Sequence, residues 1–95
     1  MGAETFVDMG SGSTAQEAFR SVKRRFGSVD GYSGTIAEKS SIVSMGTAAT
    51  KAEALAMVDQ FIDNDDHRIA DKWGPAGCIS IDGTDKYVFF GWASC

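Results

Sequence analysis

Proline occurs once, at Pro75, and histidine once, at His67. A single proline excludes a Pro-rich linker or recognition tract. A lone histidine cannot build the usual zinc set, and Cys78 would be its only soft companion. The two cysteines, Cys78 and Cys95, are too few for a disulfide framework. Cys78 stands in an apolar stretch and reads as a small buried hydrophobe, Cys95 as an exposed thiol. No window approaches the roughly 18 apolar residues of a membrane span. Residues 1–10 carry neither a basic region nor an apolar run of signal length, so the expected location is the cytoplasm. Positive charge is also short: nine Lys and Arg face 13 Asp and Glu, a net charge of −4. That balance argues against a protein that grips a nucleic-acid backbone, which needs a clustered basic excess.

What is present is a globular composition. Six Phe, two Trp and two Tyr in 95 residues supply enough large apolar surface for one core and no more. Residues 1–95 are therefore read as a single domain.

Residues 4–9 read as a short strand, followed by a flexible connector, Gly10-Ser11-Gly12-Ser13-Thr14. Thr14 and Glu17 have the spacing of a capping box, which opens a helix. Ala15, Ala18, Phe19, Val22 and Phe26 form its apolar stripe. Lys23, Arg24 and Arg25 suit its last turn and Gly27 its end. Residues 32–39 and 41–45 read as two strands of a tight hairpin. Thr50 and Glu53 form a second capping box. The helix behind it draws its core side from Ala52, Leu55, Ala56, Phe61 and Ile62, with Met57 and Val58 broadening the stripe. Asp63, Asp65 and Asp66 are unfavourable at a helix C-terminus, so a break near Asn64 and a short helix over 65–72 are expected. Residues 78–81 and 86–93, joined by Asp82-Gly83-Thr84-Asp85, read as a second hairpin.

The expected fold is α+β: a mostly antiparallel sheet of four to five strands in the order β-α-β-β-α-α-β-β. The two main helices are expected on one face of it. The last strand is apolar on both sides, with Val88, Phe90 and Trp92 on one and Tyr87 and Phe89 on the other. With helices on a single face, the opposite face would be left for a partner or ligand.

Motifs with chemical content are few. The connector between first strand and first helix lacks the Gly-Lys-Ser/Thr ending of a phosphate loop and the third glycine of a dinucleotide loop. Arg68 and Gly74 stand where a calcium loop starting at Asp63 needs glycine and an acid. Asp63, Asp65, Asp66 and His67 therefore read as a helix cap and a solvated acidic turn, and no metal or cofactor is expected. No catalytic residues are assigned. Glu38 and His67 are the nearest to an acid–base pair, without a motif to join them. Arg20 and Arg24, one turn apart on the first helix, share a face.

The run Gly31-Tyr32-Ser33-Gly34-Thr35-Ile36-Ala37-Glu38-Lys39, after a helix bearing Ala18-Phe19, resembles one in a family of small bacteriophage proteins. Lys72-Trp73-Gly74-Pro75-Ala76-Gly77 belongs to the same pattern. The resemblance spans roughly residues 18–79 and implies a phage or prophage origin, hence a host cytoplasm, with no activity to transfer. The expected function is that of a phage-type accessory protein, a binding module that modulates a host process by protein–protein contact. A host factor or defence system is the class of target, and self-association is the other form of partner. The alternative is a binder of a small anionic, nucleotide-like ligand. Tyr32, Ser33, Thr35, Glu38 and Lys39 on one strand, Lys72 and Trp73 in a turn, and Trp92 on the last strand are the residues expected to carry binding.

Overall fold

The computed structural model describes residues 3–27, 41–64, 66, 69 and 74–94. Its elements run β1 (Ala3–Ser11), α1 (Ala15–Gly27), β2 (Ile42–Ala48), α2 (Lys51–Asp63), β3 (Ala76–Ile81) and β4 (Lys86–Ser94). The order among the described residues is thus β-α-β-α-β-β. The strand expected over 32–39 and most of the helix expected over 65–72 lie outside the described residues. Of the latter, Ile69 is fully buried, and its N–H donates to the Asp66 carbonyl at 3.0 Å.

The four strands form one sheet in the order β1-β4-β3-β2. β4 is antiparallel to both β1 and β3, and β2 runs parallel to β3. The sheet is therefore mixed and mostly antiparallel. A hairpin fixes the β3–β4 register. Gly83 supplies the positive φ of 74° that the turn requires. Thr84 closes that turn twice: its hydroxyl donates to the Ile81 carbonyl at 2.8 Å and accepts from Lys86 N–H at 3.0 Å. The parallel β2–β3 pair needs a crossover, which α2 provides.

Both helices start where the capping boxes place them. Thr14 Oγ1 accepts from Glu17 N–H at 3.2 Å, and Thr50 Oγ1 from Glu53 N–H at 3.1 Å. The Glu17 carboxylate reaches the Ser13 hydroxyl. α2 stops at Asn64, the expected break, whose N–H caps the last turn.

The helices do not share a face. Ala18, Phe19 and Val22 of α1 pack with Phe6, Ala76, Cys78 and Phe89. Ala54 and Val58 of α2 pack with Met45, Ala48, Ile79, Ile81, Val88 and Phe90, and with Ile69. Side chains alternate along a strand, so Phe89 on one side and Val88 and Phe90 on the other put the helices on opposite faces. This corrects the expectation of two helices on one face. The two-sided apolar pattern of β4 is that of a central strand buried on both faces.

Two local expectations also change. Gly10 and Ser11 belong to β1 rather than to a flexible connector. The buried stripe of α2 is Ala54 and Val58, flanked by Met57, Phe61 and Ile62, whereas Ala52, Leu55 and Ala56 face outward. No helix among the described residues is long and apolar enough to cross a membrane.

Candidate functional site

Of the residues expected to carry binding, Tyr32, Ser33, Thr35, Glu38, Lys39, Lys72 and Trp73 lie outside the described residues, as does His67. Trp92 is described. It lies on β4 opposite Thr5 of β1, half-buried, on the face that α2 occupies. Its indole Nε1 is buried and meets no hydrogen-bond acceptor among the described residues. A buried donor left unpaired costs about 1–3 kcal/mol. α2 packs over β2, β3 and β4. Toward β1 the cover thins, and Val7, diagonal to Trp92 on the same face, is 46% exposed.

The concave surface lies elsewhere, where the end of β1 passes under α1. A groove of about 320 Å³ is lined by Met9, Gly10, Ser11, Ser21 and Lys86. A second, of about 380 Å³, is lined by Ser11, Glu17, Arg20, Ser21 and Arg24. Ser11 and Ser21 line both, so the two form one continuous furrow.

Glycine sets how closely strand and helix approach below it. A Cβ on Gly10 would stand 2.3 Å from Val22 Cγ2 and 2.8 Å from the Ala18 carbonyl oxygen. One on Gly12 would stand 2.8 Å from Ala18 N. Gly12 N–H also donates to the Asp85 carbonyl at 3.0 Å, tying the furrow to the β3–β4 turn. The floor is therefore made of backbone held by packing, and the walls are the side chains of three elements.

Of the four charged side chains that line the furrow among the described residues, three are cationic. Arg20, Arg24 and Lys86 are exposed, and no ion pair or hydrogen bond among the described residues takes up their head groups. Lys23, on the same helix, is turned away to its own purpose: its ammonium lies 5.2 Å from the centre of the Phe19 ring. Arg20 and Arg24 sharing a face was legible from their spacing. Ser11 and Lys86 were not, because only the β1–β4 register and the α1–β1 contact bring them beside the arginines, and Ser21, three residues before Arg24 on the same helix, carries no chemical signal of its own.

Cys78 is buried in the α1-side core, and burial pushes its thiol up to about 11. It is a packing residue and not a nucleophile at neutral pH. Asp82 and Asp85 are exposed at the β3–β4 turn. Among the described residues no three His, Cys, Asp or Glu side chains gather as a metal site. Comparison of the chain with protein-family models, with curated proteins and with solved structures finds no match.

Proposed function

We propose that this chain is a small phage-type accessory protein, a binding module that modulates a host process by contact with a host protein. The resemblance of residues 31–39 and 72–77 to a phage family motivates the origin. The observation that carries the contact is the exposed Val7 beside the half-buried Trp92, at the end of the sheet face that α2 leaves thinly covered. An aromatic anchor with an aliphatic neighbour at the margin of a rigid sheet is the kind of surface on which binding energy concentrates. The unpaired Trp92 Nε1 adds a donor that a small local shift on binding can satisfy. With helices on both faces, the two-sided apolar pattern of β4 no longer argues for a partner, and the reading rests on this margin alone.

The test is a substitution that changes the surface without touching the core. Val7→Lys places a charge on the exposed margin, and Leu55→Lys does the same on the outer side of α2, where Leu55 is 38% exposed. Immobilised parent protein and both variants are challenged with bacterial lysate, and melting temperatures are measured alongside. A protein retained by the parent and by Leu55→Lys, but lost from Val7→Lys at an unchanged melting temperature, supports the reading. Equal capture by all three overturns it. A parent dimer that Val7→Lys converts to monomer reassigns the surface to a second copy of the chain.

A further inference from the structure

The furrow between β1 and α1 shares neither Val7 nor Trp92 with that contact surface, and its chemistry is different. We propose that it binds a small ligand carrying two linked phosphate groups, one held by Arg20 and Arg24 and the other by Lys86.

Three features point to this class. The first is charge: among the described residues three cations and one carboxylate line the furrow of a chain whose net charge is −4. A local positive patch against an acidic background is a directional attractor for anions. The second is donor type. Arg20 and Arg24, one helical turn apart, carry planar forks matched to phosphate oxygens, and Ser11 and Ser21, which line both lobes, carry hydroxyl donors. The third is division into two lobes. The arginines line one and Lys86 the other, with the two serines common to both, so two anionic groups joined by a short bridge fit better than one. Among the described residues no aromatic side chain lines either lobe to stack on a base, so the recognition argued here is that of the phosphates.

Glu17 is the one opposing charge among the described lining residues, and its position is informative. Its carboxylate is drawn to the Ser13 hydroxyl at the start of α1, beside the end of β1 where Ser11 pairs with Lys86. It repels an anion seated on Arg20 without supplying any contact. Its removal should therefore tighten binding, an effect that damage to the fold does not mimic.

Inorganic pyrophosphate and orthophosphate, titrated calorimetrically into the full chain at low salt, test the proposal. Pyrophosphate should bind about tenfold more tightly than orthophosphate, with both weakening as salt screens the exposed site. Arg20→Gln with Arg24→Gln should lower affinity for both at least about tenfold. Lys86→Gln should abolish the preference for pyrophosphate, Glu17→Gln should strengthen binding, and Lys51→Gln on α2 should change nothing. Absence of pyrophosphate binding at millimolar concentration overturns the proposal. So does equal affinity for the two anions, or a loss in Lys51→Gln as large as in the arginine double variant, which would indicate diffuse charge only.

Discussion

At the scale of single residues, one titratable group among the described residues has a clear shift, Cys78. Its side chain points into the α1-side core beside Phe89 and Ala76, where a thiolate has no compensating charge. Burial raises its pKa from 9.0 to about 11. The folded chain thus holds the thiol proton more tightly than the unfolded chain. The corresponding stability is fully present below about pH 9 and is lost as pH rises from 9.0 toward about 11. In native protein at pH 8, iodoacetamide should leave the Cys78 peptide unmodified, and denaturant should open it to rapid labelling, both read by peptide mass spectrometry. Rapid labelling of that peptide in the native state would show that the thiol is not held in the core. The same argument explains why a small, weakly polar side chain is tolerated there: Cys78 needs volume and burial, and its chemistry is suppressed by both.

At the scale of elements, α2 separates two kinds of apolar residue that look alike in the sequence. Val58 is buried against the sheet, whereas Leu55 is 38% exposed on the opposite side. Val58→Ala should cost about 2–3 kcal/mol through lost burial and a residual cavity. Leu55→Ala should stay within about 0.5 kcal/mol. Thr50→Ala should cost about 1 kcal/mol, because it removes the acceptor for Glu53 N–H. Urea denaturation of the three variants checks the ranking, and a Leu55 effect as large as that of Val58 would mean that the helix presents another side. Local signals made much of this element legible before the structure: Thr50 with Glu53 marks its start, and the acidic run after Ile62 marks its end. The buried side was not legible, because Ala52, Leu55 and Ala56 satisfy helical spacing as well as Ala54, Val58 and Phe61 do. Which stripe wins is decided by the sheet beneath, through partners such as Phe90, whose ring stacks on Phe61 with centroids 5.8 Å apart. The same limit applies to the strands. The β3–β4 hairpin is announced by Asp82-Gly83, a local turn, whereas the parallel β2–β3 pair joins residues some 30 positions apart, as in the Thr47–Ser80 hydroxyl contact. The furrow follows suit. Its arginines and Ser21 lie on one helix at local spacings, but Ser11 and Lys86 come from two strands that no local pattern connects to it.

For the whole molecule, the central fact is a sheet with a helix on each face and hence two apolar clusters that do not touch through side chains on one side. β4 belongs to both: Phe89 packs under α1, its ring centroid 5.6 Å from that of Phe19, while Val88 and Phe90 pack under α2. β3 does the same, with Ala76 and Cys78 on the α1 side and Ile79 and Ile81 on the α2 side, so the backbones of the two central strands link the clusters. A sheet shared between two clusters in this way should unfold as one cooperative unit. Phe19→Leu, made on the α1 side, should cost about 1 kcal/mol from the lost aromatic pair. Trp92 reports from the α2 side of the sheet, and a Trp73→Phe background leaves it as the sole indole. In that background the urea midpoint of Trp92 fluorescence should fall with Phe19→Leu by the same amount as the midpoint of far-ultraviolet circular dichroism. The slopes of both transitions should be unchanged. A Trp92 midpoint that stays at its parental value while the helical signal shifts would mean that the two faces melt separately. Cooperativity of this kind also bears on function. If β4 couples the faces, an anion bound in the furrow on the α1 side stabilises the margin at Val7 and Trp92 as well, since any ligand of the folded state raises the stability of all that unfolds with it.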